Sequence, residues 1–216
     1  VEKVREAGGI WTLADLAGYR VVEREPVRAT YRGLTVTSAS PPSSGGVALA
    51  TMLNILQEYP LAEMTPARRA HLIIESMRQA YRDRAEYLGD PDQVTIPIER
   101  LIHPYYAAGL RTAIRLDRAT PSLSTADELE QEGTDTTHFS ILDRQGNYVA
   151  ATLSINYPFG SGFMPDGTGV LLNDEMDDFS SKPGVPNAYG LVGSEANAIA
   201  PGKRMLSSMS PTFVTA

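Results

Sequence analysis

Cysteine is absent from the 216 residues, which removes disulfides, thiolate metal sites and a cysteine nucleophile together. Histidine is nearly as scarce. His71, His103 and His138 are the three present, and none forms a two-His helical pair, so a zincin-like site has no basis and no metal is expected. No apolar run approaches the length of a membrane span, and the N-terminal Val1-Glu2-Lys3-Val4-Arg5-Glu6 lacks the basic-then-apolar order of a signal peptide. Basic residues number 19 against 26 acidic ones, a formal charge of -7, and they are scattered rather than gathered into a stripe; nucleic acid is excluded as an expected partner. Any catalysis must rest mainly on hydroxyl, carboxylate or amine groups, with no cofactor expected.

What is present reads as an ordinary globular chain, 42% hydrophobic and 21% charged. Alternation around Tyr31-Arg32-Gly33-Leu34-Thr35-Val36 predicts a hairpin turned by Gly33. After the loop Pro41-Pro42-Ser43-Ser44-Gly45-Gly46, the spacing of Leu49, Met52, Leu53 and Leu56 predicts an amphipathic helix with Ser43 or Ser44 as its cap. A second helix is expected to start near Thr65-Pro66, continue through Leu72, Ile73, Met77, Ala80 and Tyr81, and end near Leu88-Gly89-Asp90-Pro91. A shorter one is expected over 104–116. Residues 117–135 are polar and aperiodic, the best linker candidate. Beyond them, the runs at 137–142 and 148–156 read as a hairpin beginning at Thr136, and the rest is rich in Gly and Pro up to a strand-like end at 210–216.

The chemistry centres on Asp135-Thr136-Thr137-His138. An N-terminal threonine is a compact catalyst, because its hydroxyl is the nucleophile and its own alpha-amine the base. To free that amine inside a chain, the hydroxyl must first attack the preceding carbonyl, here that of Asp135, and water must hydrolyse the ester. A flexible segment before the threonine and a rigid strand after it are the requirements, and both are met. By pattern alone, a Thr-rich edge strand after a loop is the commoner outcome. Thr152, Ser154 and Asn156, two apart, read either as one polar face of a half-buried strand or as hydrogen-bonding groups aimed at Thr136. His138 shares the strand face of Thr136 and is given only a packing role. For Asn173-Asp174-Glu175-Met176-Asp177-Asp178, a calcium loop fails on spacing and on its central glycine. The loop at 41–46 lacks the Gly-Lys-Ser/Thr of a phosphate cradle.

The runs Thr136-Thr137-His138-Phe139-Ser140, Leu171 to Ser180, Lys182 to Gly193 and Pro201 to Thr212 closely resemble the gamma-glutamyltransferase family. So do Asp15 to Tyr19, Pro41 to Gly46 and Asp83 to Pro91 upstream, so the likeness covers nearly the whole chain. It implies an α+β fold, the four-layer αββα sandwich of N-terminal-nucleophile hydrolases, incomplete in this chain, and a precursor that cleaves itself. Residues 1–135 then correspond to the later part of the large-subunit region, ending in the polar linker at about 117–135, and 136–216 to the start of the small-subunit region.

By that likeness Thr136 is the nucleophile and Ser154 stands where the family has a second, activating threonine; Thr152 supports and Asn156 contacts substrate. Glu175 and Asp178 bind the alpha-ammonium of a gamma-glutamyl group, Ser207 and Ser208 its alpha-carboxylate, with Arg204 adding a favourable field. Tyr189 lies on a covering loop. An arginine for the substrate carboxylate is expected before Val1, and a glycine pair donating to the oxyanion after Ala216. The implied reaction is gamma-glutamyl transfer and hydrolysis, with glutathione-like amides as donors and amino acids or dipeptides as acceptors, in the periplasm or outside the cell. The rivals are a glutaryl-type beta-lactam acylase of the same family and an uncleaved binding module.

Overall fold

The structure is a computed structural model that describes residues 1–121, 136–185 and 192–216. Two short helices open it, α1 (Glu2–Glu6) and α2 (Leu13–Gly18), the latter started by a reciprocal cap between Thr12 and Asp15. Then come β1 (Val27–Tyr31) and β2 (Leu34–Ser38), joined through Arg32 and Gly33 at φ 50° and 84°. Two successive left-handed residues give the turn whose twist matches a hairpin. The final strand, β5 (Thr212–Thr215), pairs antiparallel with β2 and completes a three-stranded sheet in the order β1-β2-β5.

Among the described residues, four α-helices lie between β2 and the second hairpin: α3 (Gly45–Leu56), α4 (Pro66–Tyr87), α5 (Ile98–Leu101) and α6 (Pro104–Arg111). Thr65 caps α4 by accepting from Arg68 N at 3.4 Å, with Pro66 in the first turn. The helix expected over 104–116 is shorter. It ends at Arg111, where Thr112 Oγ1 turns back to the Gly109 carbonyl at 2.7 Å, and Ile114 is nevertheless buried.

The expected inner face of α3 is corrected, although Leu56 is buried as expected. In α3 the enclosed residues include Val47, Ala50, Thr51, Asn54 and Ile55, whereas Leu49, Met52 and Leu53 are only half-buried. The helix lies between the sheet and α4 with α6, so small and polar residues take the tightest positions. Thr51 Oγ1 donates to Leu101 O at 3.1 Å and Asn54 Nδ2 to Ile102 O at 2.7 Å, which satisfies the buried polar groups. In α4 the inner stripe is Leu72, Glu75, Ser76, Gln79, Ala80, Asp83 and Arg84, while Ile73, Met77 and Tyr81 lie partly exposed. Two apolar clusters hold these layers: Val27, Val47, Ala50, Leu88, Leu101 and Leu206 in one, and Ile55, Leu56, Leu72, Ala107, Leu110 and Ile114 in the other.

The second sheet is the hairpin β3 (Thr136–Leu142) and β4 (Tyr148–Ser154), paired from Thr136 opposite Ser154 to Leu142 opposite Tyr148. Its one ring contact with the first sheet joins Tyr148 to Phe213, centroids 5.5 Å apart. No helix among the described residues is long and apolar enough to cross a membrane. The architecture is α+β.

Candidate active site

The β3–β4 register decides which side chains meet. Thr136, His138 and Ser140 share one face of β3, and their partners Ser154 and Thr152 share the same face of β4. Thr136 Oγ1 donates to Ser154 Oγ at 3.1 Å. Ser154 Oγ also accepts from Asn156 N at 3.0 Å, so the hydroxyl opposite Thr136 is held from two sides. His138 does not simply pack: its Nδ1 lies 2.8 Å from Thr152 Oγ1 and its Nε2 3.0 Å from Ser140 Oγ, a bridge along the polar face. Thr152 is therefore engaged with His138.

Asn156 departs from the expected strand geometry. β4 ends at Ser154, and Asn156 is buried with φ 72°, a left-handed conformation that asparagine tolerates better than most residues. Strict alternation thus stops short of it. Asn156 Nδ2 donates to Asp174 O at 3.4 Å, and Tyr157 N donates to Asp174 Oδ1 at 3.1 Å. These bonds fasten the end of β4 to the residue that opens the acidic turn, a single 3-10 turn over Glu175–Asp178.

Within that turn, burial and then the charge and hydrogen bond of Glu175 push the Asp178 carboxyl up to about 7, with Asp177 adding to the rise and Arg84 opposing it. Two carboxylates that cannot both ionise cheaply are a natural seat for an ammonium, which would relieve their repulsion. Arg84, buried on α4, donates from Nε to Ser44 Oγ at 3.1 Å; Ser44 Oγ in turn donates to Ser207 O at 2.9 Å. Ser44 occupies the cap position of α3 as expected, but its hydroxyl serves the Ser207 segment and makes no cap bond. Ser207 N donates to Pro42 O at 2.9 Å, so Ser207 is half-buried and clamped, whereas Ser208 is exposed.

Arg204 is engaged by groups other than Ser207 and Ser208. Its Nη1 meets Asp92 at 3.1 Å, Nη2 donates to Arg20 O at 3.0 Å, and the guanidinium stacks 5.8 Å from the Tyr19 ring. Beside it lies a cavity of about 520 Å³ lined by residues that include Tyr19, Arg24, Ser43, Arg204 and Ser207; Thr136, Glu175 and Asp178 are not among its walls. Ala150, paired with Ser140 on the face that carries Thr136, is one of its walls, so the cavity touches the far end of that face without reaching Thr136. Tyr189, and Asp135 with the bond before Thr136, lie outside the described residues.

Three supports escaped the sequence reading. Asp174 and Asn197 join separate loops through side-chain hydrogen bonds, and Arg84 reaches across from α4. A lone Asn between alanines, or an Arg in a charged helix, carries no spacing signal. Gly89 was read as a helix stop; an added Cβ there would lie 2.1 Å from Ala196 O, so the bare backbone also lets the Asn197 turn approach α4.

Comparison with known proteins gives a consistent result. The family model described as Gamma-glutamyltranspeptidase matches residues 1–216. A glutathione hydrolase proenzyme of Pseudomonas sp. strain A14 is 52% identical over 218 residues, covering 100% of this chain and 38% of the relative. Among solved structures, cephalosporin acylase from Bacillus halodurans aligns with a TM-score of 0.78 at 26% identity, over 99% of this chain and 37% of that one. Helicobacter pylori gamma-glutamyltranspeptidase aligns with a TM-score of 0.55 at 38% identity, over 62% of this chain and 40% of that one. The chain thus spans under half the length of the proteins it matches.

Proposed function

Because the chain belongs to the gamma-glutamyltranspeptidase family, we propose that it carries the nucleophile and the glutamyl-recognition loops of a self-cleaving enzyme that transfers and hydrolyses gamma-glutamyl groups. The observation that carries this reading is the bond from Thr136 Oγ1 to Ser154 Oγ, at the first residue of β3, joined by hydrogen bonds to the turn that holds Glu175 and Asp178.

In the first step Thr136 Oγ attacks the Asp135 carbonyl, the Asp135–Thr136 C–N bond breaks, and water hydrolyses the ester to leave a free alpha-amine on Thr136. That amine then takes the Oγ proton as the hydroxyl attacks the gamma-carbonyl of a glutamyl amide. The proton passes to the departing amine, and a glutamyl ester remains on Thr136. Water, or the amine of an amino acid or dipeptide, attacks the ester and returns the proton to Oγ. Ser154 orients the nucleophile, serving with a serine hydroxyl where the family usually has threonine. Glu175 and Asp178 hold the alpha-ammonium; Ser207 and Ser208 take the alpha-carboxylate. Asn156 and Thr152 border the site.

The same reading divides the chain into 1–135, part of a large-subunit region, and 136–216, part of a small-subunit region, within an αββα sandwich. Two separate antiparallel sheets support it, one of them backed by α3. The periplasm or the exterior is the location that goes with it. The likeness to a cephalosporin acylase favours one rival, cleavage of glutaryl amides. Against that rival, a glutaryl group has no ammonium to place between Glu175 and Asp178.

Intact-mass measurement of the purified full-length protein tests the reading. Cleavage between Asp135 and Thr136, lost in Thr136→Ala, is expected; a stable single chain in the wild type would sink it. On the cleaved enzyme, gamma-glutamyl nitroanilide should release its amine faster when a dipeptide acceptor is added. Release from glutaryl nitroanilide alone would assign the acylase reaction instead.

A further inference from the structure

The two loops proposed to grip the ends of the glutamyl group are joined by one side chain that neither the reaction nor the family likeness assigns. Asn197 is 5% exposed and ends a 3-10 turn at Glu195–Asn197. Its Nδ2 donates to Asp178 O at 2.7 Å, and its Oδ1 accepts from Leu206 N at 3.0 Å. Leu206 immediately precedes Ser207. A single planar amide thus spans from the backbone of the ammonium-binding carboxylate to the backbone of the carboxylate-binding serines. Its own carbonyl accepts from Ser180 N at 2.9 Å, so the chain just after Asp178 is held as well.

The turn that presents Asn197 is itself fixed. Ser194 N donates to Ala85 O at 3.0 Å and Ser194 Oγ to Glu86 O at 2.9 Å, both on α4. Lys203 Nζ donates to Ala196 O and Ala198 O at 2.8 and 2.9 Å, closing the turn from the other side. Ser207 is meanwhile bound through its carbonyl by Ser44. The spacing between Asp178 and Ser207 is therefore set by a short, fully bonded path through the Asn197 amide, with no flexible side chain in it.

We propose that Asn197 is a positioning residue that sets the distance between the alpha-ammonium and alpha-carboxylate sites, and so the selectivity for an alpha-amino-acid head group over a simple diacid. The inference rests on the gamma-glutamyl reading above. Asn197 touches no reacting atom. Its loss leaves the Thr136 and Ser154 geometry in place and removes binding made alike in the ground and transition states, which raises KM and spares kcat.

The test uses the full-length, self-cleaved enzyme with Asn197→Ala, which removes both bonds, and Asn197→Asp, which keeps the shape and the acceptor for Leu206 but loses the donor to Asp178. The expected result is a rise in KM for gamma-glutamyl nitroanilide of about tenfold or more in both, with kcat within about threefold and cleavage before Thr136 unchanged. An unchanged KM overturns the proposal. So does a parallel loss of kcat, cleavage and Tm without a KM effect, or failure of both variants to accumulate as cleaved enzyme, since either makes Asn197 a folding residue. A wild type inert toward gamma-glutamyl nitroanilide would instead remove the underlying reading, and the variants separate the two failures.

Discussion

Asp178 is where a single residue's environment has the most direct consequence. Burial and the neighbouring Glu175 raise its carboxyl to about 7, from an ordinary value of 3.8, against the partial relief of Arg84. The folded state thus holds this proton more tightly than the unfolded chain does. Its contribution to stability is complete below the ordinary aspartate range and is lost as pH rises through about 7. Asp178→Asn is accordingly expected to raise Tm at pH 8 by roughly 2–4 °C and to leave it unchanged near pH 4, read by thermal melts at the two pH values. On the proposed function, binding of the alpha-ammonium in the cleaved enzyme needs the ionised form. KM for gamma-glutamyl nitroanilide should rise several-fold as pH falls through about 7 in the wild type, and the Asn variant should be weak at every pH.

At the scale of elements, the start of α3 does two jobs at once. Pro41 to Gly46 form the turn into the helix and also the wall against which Ser207 to Ser210 lie. A Cβ on Gly45 would fall 2.4 Å from Met209 O and 2.9 Å from Ser210 Cα, both backbone atoms that cannot rotate away. Helix propensity alone would favour alanine there by about 1 kcal/mol. Overpacking against backbone costs more, about 1–3 kcal/mol. Gly45→Ala should therefore lower stability by up to roughly 2 kcal/mol in denaturant unfolding. On the proposed function it should also weaken substrate binding at Ser207 and Ser208; a variant more stable than the wild type would contradict the close packing.

Over the whole molecule, the two sheets differ in how they are held. β1, β2 and β5 rest on α3, whereas every residue of β3 is exposed, with Phe139, Ile141, Val149 and Leu153 between 43% and 56% accessible. An uncovered two-stranded hairpin is marginal by itself. In the 216-residue chain, amides of 136–142 and 148–154 should exchange at least about tenfold faster than those of 47–56 and 72–84, measured by hydrogen exchange. Equal protection would mean that the hairpin draws support from contacts other than those described.

The sequence by itself determined the family, the hairpin that begins at Thr136, the first turn of α4 and the acidic turn, because each is written in local order: caps, turn glycines, alternation and long motif runs. It misread the face of α3 and left that of α4 open. Burial there follows what packs on each side, and Thr51, Asn54 and Arg84 are enclosed because distant carbonyls and hydroxyls satisfy them. The tertiary structure alone decided that Ser44 serves Ser207 rather than its helix, that Arg204 faces Asp92, and that Asn197 joins Asp178 to Leu206. The last pairings cross 163, 112, 19 and 9 residues of chain, distances over which no periodicity in the sequence can report.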